Sequence, residues 1–125
     1  MYNRTYSGRR EKRSFSKCEK PCTLYNPIMT AYAQLLEMNP SVCSFECNIP
    51  IIGTKYNSDF LVCTPDDTKA IRECVSRAHL EDIRVLRKLD ISRDYWAAHG
   101  ISDWKIITEK KGKEEKTEEQ EPPAK

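Results

Sequence analysis

Two acidic side chains on neighbouring predicted strands are the first candidates for chemistry. Asp59 opens an apolar strand predicted over residues 58–64, and Glu73 lies in the next predicted strand, 70–76. Turn residues at 65–67 join the two strands as a hairpin, so we expect both carboxylates at one end of a sheet. Such a pair can hold a divalent cation, which activates water and clamps a phosphate. In the alternative interpretation, Asp59 caps a strand and Glu73 faces solvent.

Four of the six cysteines form two pairs of equal spacing. Cys18 and Cys22 are separated by three residues, as are Cys43 and Cys47. Four thiolates make a tetrahedral Zn²⁺ site, but two intervening residues are the more usual spacing within a pair. Positions four apart on one strand also lie about 13 Å from each other, too far for one zinc ion. The sequence therefore does not favour zinc, and we expect Cys43 and Cys47 to be small buried apolar residues and Cys18 and Cys22 to be exposed.

Two other kinds of chemistry find no support in the sequence. The four glycines form no phosphate-binding loop, which excludes a nucleotide hydrolase of the usual types. His79 and His99 are the two histidines, and neither has a serine or cysteine partner at a recognisable spacing. Nucleophilic catalysis is therefore not predicted.

The elements that must position these residues are two helices and a small sheet. Asn26 and Pro27 predict a helix start, and Asn39-Pro40 predicts its end. A second helix is predicted over 79–98, with Gly100 after it. Strands are predicted over 41–48, 58–64, 70–76 and 104–108. The order α-β-β-β-α-β predicts an α/β (α+β) domain, with a mixed sheet flanked by the two helices.

The net charge of +2 hides an uneven distribution. Residues 1–20 hold seven basic and two acidic residues, and residues 1–21 are predicted to be a flexible basic arm that contacts DNA phosphates. Residues 110–125 carry no large apolar side chain and are predicted to be a disordered tail. The folded domain is accordingly predicted over 22–109. The candidate DNA-binding residues of the arm are Arg4, Arg9, Arg10, Lys12, Arg13 and Lys17.

The sequence lacks the segments that would direct it into a membrane. No run approaches 18 apolar residues, and no apolar stretch follows the basic N-terminus as in a secretory signal. We therefore expect a cytoplasmic protein with reduced cysteines and no membrane partner.

Several stretches carry a resemblance to a known family. They are LLEMNPSVCSFECNIP (35–50), SDFLV (58–62), HLEDIRVLRKLDISRDYWAAHGI (79–101) and DWKIITEK (103–110). In these stretches the chain resembles the N-terminal catalytic domain of the TnsA family of transposon endonucleases, over most of residues 26–110. The resemblance implies a restriction-endonuclease-like PD-(D/E)xK fold, Mg²⁺-dependent DNA cleavage and a transposase partner.

The family's catalytic positions carry over unevenly. Its strand aspartate falls on Asp59, and its next acidic or amide position falls on Glu73. The lysine expected two residues later falls on Val75, and the acidic residue of the first helix falls on Met29. Because a catalytic lysine orients water or stabilises charge on the phosphate, Val75 is a functional loss. Arg77, four residues after Glu73, is the candidate to supplement the site if the strand continues.

Three functions remain open from the sequence. The first is an active nuclease in which Asp59 and Glu73 hold Mg²⁺ and Arg77 assists. The second is a nuclease-fold protein that has lost hydrolysis and acts as a DNA-binding or assembly component. The third is a mobile-element or phage accessory protein that binds a host protein. The oligomeric state is not indicated.

Overall fold

The computed structural model describes residues 11–109, which form six strands, two α-helices and a short 3₁₀ helix. In chain order they are β1 (Glu11–Arg13), β2 (Cys22–Leu24), α1 (Pro27–Met38), β3 (Ser44–Pro50), β4 (Asn57–Cys63), β5 (Lys69–Cys74), the 3₁₀ helix (Arg77–Glu81), α2 (Ile83–Ala98) and β6 (Trp104–Ile107). Neither α-helix is long and apolar enough to cross a membrane, within the described residues.

The main sheet has four strands in the order β3-β4-β5-β6. The first three are antiparallel, and the register places Phe60 of β4 opposite Arg72 of β5. β6 runs parallel to β5, with Trp104 opposite Ile71. A parallel neighbour needs a crossover connection, which α2 provides. The mixed sheet and the predicted α-β-β-β-α-β order of the two helices and the main-sheet strands are confirmed, whereas the two-stranded sheet β1-β2 was not predicted.

One helix covers each face of the sheet. Side chains alternate along β4, so successive apolar residues point to opposite faces and pack against different helices. Phe60 and Val62 belong to one buried cluster together with α1, and Leu61 belongs to a second cluster together with α2. The residues that the two helices bury are Met29, Ala33 and Leu36 of α1, and Leu89, Ser92 and Trp96 of α2. Full burial of one large apolar side chain contributes about 1.5–3 kcal/mol relative to exposure.

Local sequence explains the helix boundaries. Asn26 caps α1, since its Oδ1 accepts from the backbone N–H of Met29 at 2.8 Å, and Pro27 follows as the first helical residue. α2 begins at Ile83 rather than at 79, because residues 77–81 form the 3₁₀ helix and Asp82 is the cap. Gly100, with φ of +85°, ends α2 in the left-handed region.

The segment before β2 packs against the domain. β1 pairs antiparallel with β2, and the Phe15 ring lies 5.6 Å from the Phe45 ring. The Phe45 N–H donates to the Lys17 carbonyl at 3.1 Å. The expectation of a flexible arm therefore does not hold for residues 11–21. Residues 1–10 of that arm and the predicted tail, 110–125, lie outside the described residues.

Candidate active site

Asp59 and Glu73 meet at the end of the paired part of β4 and β5. The last paired residues are Phe60 and Arg72, so the register places Asp59 opposite Glu73 one step further on. At this step each carboxylate accepts from a backbone N–H of the other strand. The Asp59 N–H donates to Glu73 Oε1 at 3.1 Å, and the Cys74 N–H donates to Asp59 Oδ2 at 2.8 Å. The structure thus brings together the two residues that the sequence paired.

A buried network of serine and tryptophan side chains fixes Glu73 from the α2 side. Ser92 Oγ donates to Glu73 Oε2 at 2.5 Å, and it accepts from Trp104 Nε1 at 2.9 Å. Trp96 Nε1 donates to Ser58 Oγ at 2.8 Å, and Ser58 Oγ lies 3.2 Å from Ser92 Oγ. Because both oxygens of Glu73 have donors, the buried carboxylate is held in one position.

Burial of the carboxylate pair, Asp59 and Glu73, disfavours its negative charge. The pKa of the half-buried Asp59 is raised to about 7, chiefly by burial and secondly by the charge of Glu73. Burial also raises the pKa of Glu73, which is 2% exposed, while the hydroxyls of Ser92 and Ser58 oppose this rise. A cation bound beside the pair would therefore stabilise the charged carboxylates.

Lys88 is a cation that acts on both carboxylates. Its charge lowers the pKa of Asp59 and of Glu73. Lys88 is half-buried, one helical turn before Ser92 on α2, and its Nζ lies 5.8 Å from the centre of the Tyr56 ring. Positions four apart share one face of a helix. Lys88 therefore lies on the same face of α2 as Ser92, which contacts Glu73.

The other predicted catalytic positions lie elsewhere. β5 ends at Cys74, and the Val75 N–H donates to the Ile107 carbonyl. Arg77 begins the 3₁₀ helix, where its backbone N–H donates to Glu109 Oε1 at 2.9 Å and its Nε donates to the Glu109 carbonyl. The strand continuation that would have turned Arg77 toward the pair is absent. Met29 is 1% exposed within the apolar cluster.

Three of the four cysteines considered for zinc converge. The Sγ atoms of Cys18, Cys22 and Cys47 all lie within 4.8 Å of one another. Cys22 and Cys47 form a disulfide, which corrects the expectation of reduced thiols, and Cys22 is fully buried rather than exposed. Cys43 is exposed, stands outside this group, and donates through its N–H to the Cys63 carbonyl.

The candidate DNA-binding residues fall partly outside the described chain. Those outside it are Arg4, Arg9 and Arg10. Lys12 lies on β1, and Arg13 pairs with Glu11 at 2.6 Å. Lys17 has a structural contact, since its Nζ donates to the Asn39 carbonyl at 2.7 Å and to a carbonyl of the last turn of α1. Its ammonium thereby satisfies the carbonyl end of that helix.

The mixed sheet between two helices, with paired carboxylates where two strands part, defines a domain of the nuclease-fold class. The family described as TnsA-like endonuclease N terminal matches residues 27–109. The chain belongs to this family, which confirms the resemblance drawn from the sequence and indicates a DNA-related function. No curated protein matches the chain.

Proposed function

We propose that the protein is a Mg²⁺-dependent DNA endonuclease of the PD-(D/E)xK type, with Asp59 and Glu73 as the metal-binding carboxylates. The observation that carries the proposal is their meeting at the end of the β4–β5 ladder, where each accepts from the opposite strand. Burial disfavours the negative charge of both carboxylates, and a bound cation would stabilise that charge.

The donor set fits magnesium. Mg²⁺ is commonly held by one or two carboxylates, with water and substrate phosphate completing its shell. Asp59 is the accessible member and Glu73 is the buried member. When bound, Mg²⁺ polarises a phosphoryl oxygen and lowers the pKa of its water.

The chain's own side chains have distinct roles in this proposal. Ser92 and the Asp59 N–H hold Glu73 in place. The Lys88 ammonium supplies the positive charge that Val75 cannot, and it would contact the scissile phosphate and stabilise its developing charge. In this arrangement the basic group comes from α2 rather than from β5, and Arg77 has no catalytic role.

Cleavage of supercoiled plasmid in Mg²⁺ or Mn²⁺ tests the proposal. We expect the wild-type protein to nick the plasmid, and Asp59→Ala to abolish nicking. Asp94→Ala is the matched control because Asp94 is an exposed carboxylate on α2. Equal nicking by wild type and Asp59→Ala would indicate a contaminating nuclease and would contradict the proposal.

A second set of variants tests the position of the lysine. Lys88→Ala should lower the cleavage rate by about 100-fold or more, the usual effect of losing one charge-stabilising donor. Adding Val75→Lys to Lys88→Ala places a lysine directly after β5, at the position implied by the family resemblance, and we expect it to recover part of the rate. Cleavage that is unchanged in Lys88→Ala would remove Lys88 from the site.

A second candidate function is supported by the region around Glu73. Glu73 is almost fully buried with both oxygens hydrogen-bonded, and the buried Met29 offers no third carboxylate. These features suit a nuclease-fold protein that binds DNA, a transposase or a host protein without hydrolysis. In that case the Asp59→Ala variant should retain the biological effect of the wild-type protein. A pull-down with and without nuclease treatment then separates DNA partners from protein partners.

A further inference from the structure

We propose that Cys18, Cys22 and Cys47 form a Zn²⁺ site in the reduced protein, separate from the carboxylate pair. The three Sγ atoms lie within 4.8 Å of one another. They come from three parts of the fold, namely the segment between β1 and β2, strand β2 and strand β3. A metal there would join the N-terminal segment to the main sheet.

The distance between the sulfurs of Cys18 and Cys22, which are not bonded to each other, fits a metal. A Zn–S bond is about 2.3 Å, so two thiolates on a tetrahedral zinc ion lie about 3.8 Å apart. Cys18 Sγ and Cys22 Sγ are 3.7 Å apart. Three residues separate these cysteines, one more than in a usual zinc knuckle. This spacing nevertheless allows both sulfurs to bind the same zinc ion.

The disulfide between Cys22 and Cys47 defines the competing state of the cluster. A thiol reductant of the glutathione class supplies two electrons and two protons, and breaks the bond into two thiols while forming its own disulfide. Zn²⁺ then binds the three sulfurs and releases their protons to solvent. The same three sulfurs thus hold either a disulfide or a metal, depending on the redox state.

The fourth position on zinc is not filled by the cluster. Within residues 11–109, the group of converging ligand atoms contains these three sulfurs. We assign the fourth position to a water molecule, as in zinc sites with three protein ligands. Cys43 is not part of the site, although the sequence spacing suggested it.

Metal binding by the full-length reduced protein tests the proposal. Wild type, purified with a reductant and loaded with Zn²⁺, should retain about one zinc ion per chain after gel filtration. Cys18→Ser and Cys47→Ser should lose it, whereas the matched control Cys43→Ser should keep it. Asp59→Ala should also keep it, which separates this site from the proposed magnesium site. Oxidation of the wild type with diamide should release the zinc.

A second measurement avoids dependence on the folding of the serine variants. Zn²⁺ should protect Cys18, Cys22 and Cys47 of the reduced wild type from alkylation, as mapped by mass spectrometry, and leave Cys43 reactive. Absence of bound zinc in the reduced wild type, retention of zinc by Cys18→Ser, loss of zinc from Cys43→Ser, or protection of a different set of cysteines would overturn the proposal.

Discussion

Replacement of Asp59 by asparagine should stabilise the protein at neutral and alkaline pH. Asparagine keeps an oxygen that can accept from the Cys74 N–H, the bond that Asp59 Oδ2 makes at 2.8 Å. It removes the charge that the buried site disfavours. We therefore expect a gain in stability from a variant that also loses metal binding.

The size of the gain follows from the pKa of Asp59. An aspartate has a pKa of about 3.9 in the unfolded chain, and in the folded protein burial and the Glu73 charge raise the pKa of Asp59 to about 7. Between these values the folded state binds more protons, so stability falls as pH rises. Three pH units at about 1.4 kcal/mol each give a ceiling of about 4 kcal/mol. Since Asp59 is half-buried, we expect about 2 kcal/mol.

Urea unfolding followed by tryptophan fluorescence measures this difference, because both Trp96 and Trp104 hydrogen-bond within the network around the carboxylate pair. Wild type and Asp59→Asn should be equally stable near about pH 4 and diverge up to about pH 8. Asp94→Asn is the control and should follow the wild type. Wild-type and Asp59→Asn curves that stay parallel across this range would refute the reasoning.

Three further outcomes are expected. Lys88→Ala should raise the pKa of Asp59 further, because the charge that opposes the rise is removed, and carboxyl NMR titration measures this; an unchanged pKa would place Lys88 away from the pair. Ser92→Ala should cost about 2–3 kcal/mol of unfolding free energy, since it removes the donor to Glu73 Oε2 and the acceptor of the Trp104 Nε1–H; a loss below about 0.5 kcal/mol would show that water replaces the hydroxyl. Lys17→Ala should cost about 1 kcal/mol because its ammonium binds the carbonyl end of α1, yet leave the salt dependence of DNA binding unchanged, whereas Lys12→Ala should reduce that dependence.

The meeting of Asp59 with Glu73 was predictable from local sequence. An apolar run, a turn and an alternating strand define a hairpin, and a hairpin's register places residues equidistant from its turn opposite each other. The helix start at Asn26-Pro27 was equally local, because the cap and the first helical residue are adjacent in sequence.

The buried face of α2 was not predictable in the same way. The apolar residues that recur at helical spacing along α2 include Ile83, Leu86, Leu89 and Trp96. Of these, Leu89 and Trp96 are buried, whereas Ile83 and Leu86 are 62% and 41% exposed. The third buried residue of α2 is the polar Ser92. A buried serine reads as polar in a sequence, and its burial depends on Glu73 and Trp104, which come from distant strands.

The flexible arm predicted before β2 does not hold for residues 11–21, for a related reason. Its basic composition suggested an arm, but composition does not reveal a single well-placed apolar residue. Phe15 packs against Phe45, and the Ser16 and Lys17 N–H groups donate to Glu37. These contacts join residues about twenty or more positions apart, so no window of the sequence contains both partners.

The position of Lys88 depends both on local helical spacing and on contacts between distant parts of the chain. A nearby positive charge stabilises the two carboxylates, and the strand position at which the family resemblance implies a lysine is Val75 in this chain. The sequence alone offered Arg77 because it follows on the same chain segment, but β5 ends first. Once Ser92 is known to face Glu73, helical spacing alone places Lys88 one turn away on the same side. In this proposal α2 supplies the charge that the missing lysine would have supplied. The rescue of Lys88→Ala by Val75→Lys tests this directly.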